Sequence, residues 1–173
     1  MKGIAWCLLV AGSFCACLHL ARAQSKSVTS ANLPAKLKLS IGNPHGTVYT
    51  VELVEGALRY GVDRSGDELR YKTVKPSAQA WAEFWKSLDR LKVWKWRPDY
   101  GSANVLHSKG WEIIIEQGWK RGKAVTSRGE GVFPSDADPK KPTTFGDPGE
   151  HPSRIFQGFA EAVRKLLNGE EFR

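Results

Sequence analysis

The sequence predicts an α+β domain, an antiparallel sheet of about six to eight short strands with two amphipathic helices packed on one face, in the order strands, helix, strands, helix. Three observations carry this. Apolar residues alternate with polar ones over 37–74 and again over 104–128, the signature of half-buried strands. In two windows, 77–91 and 153–167, apolar residues recur instead at spacings of three and four, which places them on one stripe of a helix. The strands are joined mainly by short turn sequences, which suit hairpins and are too short for parallel crossovers.

The first 23 residues begin with Lys2, run apolar from Ile4 to Leu20, and end in Ala21-Arg22-Ala23 before Gln24. A positive start, an apolar middle and an A-x-A end make a secretory signal peptide, cut after Ala23. A retained anchor is the weaker alternative, because the run contains Gly12, Ser13 and His19 and lies at the low end of the ~17 to 25 residues a spanning helix needs. Lipid attachment at Cys17 is a minor alternative, disfavoured by Phe14 and Cys15 ahead of it. The expectation is an exported protein, periplasmic or secreted, with no transmembrane helix after cleavage. Cys7, Cys15 and Cys17 are the only cysteines and all lie in the leader, so the mature chain is expected to hold neither a disulfide nor a thiol nucleophile. Residues 24–35 read as a polar, flexible lead-in and 36–173 as a single domain.

Within that domain "LKLSI" sets Leu37, Leu39 and Ile41 on one face, and "TVYTVELVE" sets Tyr49, Val51 and Leu53 opposite Val48, Thr50 and Glu52. "ALRYGVD" and "ELRYKTV" share "LRY" around a turn, which predicts an antiparallel pair with Leu58 and Tyr60 facing Leu69 and Tyr71. Ser77 is a good N-cap for a helix whose stripe is Ala80, Trp81, Phe84, Trp85, Leu88 and Leu91. "VWKWR" returns to period two, with Trp94 and Trp96 on one strand face, and Pro98 ends it. In "GWEIIIEQ", Trp111, Ile113 and Ile115 oppose Glu112, Ile114 and Glu116. Residues 130–152 form a long loop with five prolines. The last helix starts at Ser153 and stops at Asn168-Gly169.

Trp81, Trp85, Trp94, Trp96 and Trp111 therefore fall on apolar faces and are expected to meet in one aromatic core. Trp119 lies instead in a turn beside Lys120, Arg121 and Lys123, where an exposed ring among cations suits stacking on a sugar or contact with an anion. The formal net charge of +8, of which Lys2 and Arg22 carry two, favours an anionic partner, but the charges are dispersed among acids and nucleic acid is not the expected one.

Catalytic signatures are missing from the sequence. His45, His107 and His151 are scattered with no H-E-x-x-H spacing, and neither G-x-S-x-G nor S-x-x-K occurs. "GWKRGKA" lacks the length and the Ser or Thr of a phosphate loop, and Pro139 and two lysines spoil a calcium spacing at Asp136 and Asp138. No metal or cofactor is expected. The expected role is a non-enzymatic binding module for an anionic cell-envelope polymer or a glycan, acting through Trp119, Lys120, Arg121 and Lys123 with the 130–152 loop. Two alternatives stand beside it: a small hydrolase with a polar cleft near Arg97, Asp99, Tyr100, His107 and His151, and an inhibitory domain that binds another exported protein through a sheet edge.

Overall fold

The computed structural model describes residues 33–43, 45–65, 67, 69–102, 108–118, 122–143 and 152–173. The expected leader, most of the expected lead-in and the strand expected over 104–107 lie outside them. Seven strands form one sheet: β1 (Pro34–Gly42), β2 (Thr47–Val54), β3 (Ala57–Arg64), β4 (Arg70–Val74), β5 (Asp99–Ser102), β6 (Gly110–Gln117) and β7 (Ala124–Glu130). Their order is β4-β3-β2-β1-β6-β7-β5, antiparallel throughout except for the parallel pair β5 and β7. Helix α1 (Ala78–Arg90) leads from one edge strand to the other, and α2 (Arg154–Leu166) follows the last strand. The α+β class and the order of elements are as the sequence predicts.

Strands β1 and β6 pair at the centre, and their register explains why. Leu37, Leu39 and Ile41 stand opposite Ile115, Ile113 and Trp111, all buried. A slip of one residue would turn every one of these side chains to the other face, so burial fixes the pairing. The β2–β3 hairpin closes through Glu55 and Gly56, both with positive φ (49° and 79°), the two-residue turn whose twist matches the strands. Both helices are capped as expected. Ser77 Oγ accepts from the Ala80 N–H at 3.1 Å and Ser153 Oγ from the Phe156 N–H at 3.3 Å. At the end of α2, Asn168 takes the left-handed conformation while the Gly169 N–H donates to the Arg164 carbonyl.

Two local expectations are corrected. Val93–Lys95 is a 3-10 turn, not a strand, entered through Lys92 at φ 55°. Trp96 consequently points into the core while Trp94 sits at its margin. Strand β4 does pair with β3, but Leu58 faces Val74, Tyr60 faces Lys72, and Tyr71 faces Gly61. Tyr60 is therefore buried on the helix side and Tyr71 is exposed on the opposite face. Of the long loop expected over 130–152, the described residues 131–143 are irregular apart from a bridge between Pro134 and Pro142, with Val132, Phe133 and Pro134 buried.

The aromatic core forms as predicted, in two linked groups. Trp81, Phe84 and Trp85 pack along α1, with Trp94 stacked on Trp85 at 6.3 Å. Across the sheet, Phe156 of α2 contacts Trp96, Trp111, Phe133 and Phe159, with ring centroids 4.8 to 6.0 Å away. The Trp111 indole N–H donates to the Val132 carbonyl at 2.8 Å, whereas those of Trp81 and Trp96 are buried with no partner among the described residues. The chain end is tied back to the sheet. Phe172 is buried, the Tyr49 hydroxyl donates to the Glu171 carboxylate at 2.9 Å, and the Tyr60 hydroxyl donates to the Glu171 carbonyl at 2.7 Å.

Because Phe156 touches four rings, Phe156→Ala is predicted to cost about 3 to 5 kcal/mol in a denaturant titration. A loss under about 1 kcal/mol would show that the cluster can collapse around the gap. Burial, then Tyr49 and the carboxylates of Glu170 and Glu171, push the Tyr60 hydroxyl up to about 12. The folded state thus keeps a proton that the unfolded phenol releases near pH ~10, so this stabilisation is complete below that pH and is lost as pH rises through the folded value. Tyr60→Phe is predicted to flatten the fall in stability across that alkaline window, and an unchanged slope would contradict it.

Candidate functional site

Helices cover one face of the sheet, and no described element covers the other. Strand alternation puts a row of polar residues across it: Tyr71, Gly61, Thr50, Ser40, Glu112, Arg128 and Asp99 lie in register from the β4 edge to the β5 edge. The next row towards the chain-reversal end runs Asp63, Val48, Gly42, Gly110 and Glu130. Its two central positions carry no side chain, so the sheet surface sinks there. The result is a cleft of about 590 Å³ floored by Gly42 and Gly110 and walled by Ser40, Glu112, Arg128, Asp99 and Glu130.

The two glycines have different reasons to be there. A Cβ at Gly42 would lie 2.2 Å from the Thr47 carbonyl oxygen, so the tight β1–β2 turn forbids any other residue. A Cβ at Gly110 would meet only the Gly42 carbonyl, at 3.9 Å. The turn does not require Gly110 to be bare, and its missing side chain leaves space in the cleft.

Charged groups on the wall are fixed by hydrogen bonds. Arg128 holds one oxygen of Asp99 with both Nε (3.1 Å) and Nη2 (2.9 Å), and the other oxygen accepts from the Gly101 N–H at 2.7 Å. The Gly101 N–H first, and then Arg128, hold the Asp99 carboxyl below the usual carboxylate range. Ser108 donates to Glu130 at 3.1 Å. A second concavity of about 310 Å³ adjoins the first on the same face, and both are lined by Ser40 and Glu112.

The residues singled out from sequence are distributed differently. Trp119, Lys120, Arg121, His107 and His151 lie outside the described residues. The Lys123 ammonium is paired with Asp89 at 2.6 Å and lies 5.7 Å from the Trp94 ring centroid, tying the start of β7 to the end of α1. The same Asp89 oxygen accepts from the Trp94 indole N–H at 2.7 Å. Asp99 belongs to the cleft, but Tyr100, the next residue along β5, points to the other face and packs on Trp111. The Tyr100 hydroxyl donates to the Pro139 carbonyl, and burial raises its pKa. Arg97 lies 5.9 Å from the Tyr100 ring centroid, and its charge adds to the depression of Asp99.

The sequence sets Glu112 on the outer face of its strand and lets Arg128 and Glu130 join Arg97, Asp99 and Tyr100 along one sheet edge, but it does not bring Gly42, Gly110 and Ser40 to them. The signal was present in part. Alternation sets Glu112 opposite the buried Trp111, and a glycine two residues ahead of it belongs to the same face. Only the long-range pairing of β1 with β6 brings Gly42 beside Gly110.

Fold and site together define an α+β domain with an open-faced polar cleft and no described helix long and apolar enough to cross a membrane. Among the described residues no cluster of three His, Cys, Asp or Glu is arranged to hold a metal ion. No protein-family model matches the chain, and no curated protein matches it significantly.

A carboxyl-detected NMR titration is predicted to place Asp99 below the ~3.9 of an unperturbed aspartate. Arg128→Gln should raise that midpoint only part of the way, because the Gly101 N–H still donates. A midpoint that does not move, or returns fully to the reference, would contradict the division between the two donors.

Proposed function

We propose that this chain is an exported, non-enzymatic binding domain that takes a glycan in the open-face cleft. The observation that carries the reading is a cleft whose wall sets three carboxylates, one guanidinium and a hydroxyl around two bare glycines, with a net negative lining on a strongly basic chain. Asp99 is neutralised by Arg128, and the wall offers both donors and acceptors in set positions. Such a surface suits a ligand that itself carries many hydroxyl donors and acceptors. A polyanion would be drawn to the excess positive charge elsewhere, not to a wall of three carboxylates and one guanidinium. The leader at 1–23 supports export, and the envelope is where such a ligand is abundant.

The non-enzymatic part rests on acid–base chemistry. Glycoside cleavage needs a carboxyl whose pKa is raised so that it can donate a proton. Asp99 in this cleft is shifted the other way, held ionised by the Gly101 N–H and Arg128.

The test is calorimetry with neutral oligosaccharides of N-acetylglucosamine, glucose with β1,4 links and glucose with α1,4 links, with long-chain polyphosphate as the anionic control. Gly110→Val fills the cleft from a position where an added Cβ meets only the Gly42 carbonyl, at 3.9 Å, and Glu112→Gln keeps its shape while changing one acceptor. One neutral series is predicted to bind, with at least about a tenfold loss in Gly110→Val. Failure of all three series, or polyphosphate binding that is lost in Gly110→Val, would overturn the glycan assignment.

A further inference from the structure

We infer that the ligand is an extended oligosaccharide that crosses the strands of the open face, with its end in the glycine-floored cleft and a later sugar stacked on Tyr71. This deepens the proposed function and rests on it. The two concavities share Ser40 and Glu112, so they form one trough from β5 and β7 at one end to β4 at the other. Tyr71 stands at the far end and is 56% exposed. Its ring lies over Gly61, where an added Cβ would come within 2.9 Å of the ring, and the Arg59 guanidinium sits 5.1 Å from its centroid. The bare backbone beneath lets the ring lie along the sheet, and the ring surface left exposed beside Arg59 gives a pyranose an aromatic contact at the end of the trough.

Charge along the trough agrees with a neutral occupant. Arg59 pairs with Glu52 in the second concavity as Arg128 pairs with Asp99 in the first. Glu112 and Glu130 remain against Lys38, which lines the second concavity from β1, so the whole lining is close to balance. Tyr71 lies four strands from β6, a span of about 19 Å at ~4.8 Å per strand. One β-linked pyranose is about as long as one such step, so the trough accommodates about five sugars.

The experiment is a chain-length series, from monosaccharide to hexasaccharide, of the oligosaccharide that binds best. It is run on the full chain and on Tyr71→Thr and Tyr71→Phe, with folding checked by circular dichroism. Affinity in the unaltered protein is expected to rise up to about the pentamer, and Tyr71→Thr is expected to lower pentamer affinity about tenfold while leaving the disaccharide unchanged. Tyr71→Phe, which keeps the ring, should follow the unaltered protein. A plateau at the disaccharide, or equal pentamer affinity in Tyr71→Thr, would overturn the trough while leaving the cleft assignment standing. Binding by no member of any series would overturn both.

Discussion

Successive residues of a strand point to opposite faces, and in β1 and β6 almost every step of that alternation is apolar on one side and polar on the other. The rest of the molecule follows from this pair. Leu37, Leu39, Ile41, Trp111, Ile113 and Ile115 must be covered, so both helices settle on their side. Ser40, Gly42, Gly110 and Glu112 are thereby committed to the open side. Core and cleft are two consequences of one register, and a slip that exposed the core would dismantle the cleft in the same step.

The aromatic packing then makes the cleft rigid from beneath. Trp111 sits between Gly110 and Glu112 in sequence but on the other face, held by Phe156, Phe133, Tyr100 and Trp96 and by its bond to the Val132 carbonyl. The opposing residue on β7 is Gly129, where a Cβ would come within 2.5 Å of the Val132 carbonyl and 2.9 Å of the Trp111 indole nitrogen. Backbone and ring are thus in close contact at that point, and little freedom is left to the strand that carries Arg128 and Glu130. A binding surface on strands packed this way is preorganised, so less ordering is required when a ligand arrives.

Much of the fold was legible because it is written in local periods. The helix stripes, the Ser77 and Ser153 caps, the Asn168-Gly169 stop and the faces of β1, β2 and β6 all follow from residues within a few positions of one another. "VWKWR" misled because two tryptophans two apart mimic a strand, while Lys92 in the left-handed conformation starts a 3-10 turn that sends the rings different ways. The β3–β4 register misled because the repeated "LRY" suggested like facing like, whereas the turn length sets Tyr71 against Gly61. The site was less legible than the fold. Gly42 and Gly110 are 68 positions apart in the chain and meet only through strand order, which no local pattern encodes. Of the residues that sequence singled out by composition, Trp119, Lys120 and Arg121 lie outside the described residues, and Lys123 pairs with Asp89 instead of lining the cleft.

The most direct measurement is a map of backbone amide shifts from two-dimensional NMR as the best-binding oligosaccharide is added. Large shifts are predicted at Ser40, Gly42, Gly110, Glu112, Arg128 and Glu130, with smaller ones reaching Thr50 and Tyr71, and α1 and α2 left unchanged. Shifts confined to Lys123 and its neighbours in sequence, or spread along the helices, would contradict the assignment of the open face as the binding surface.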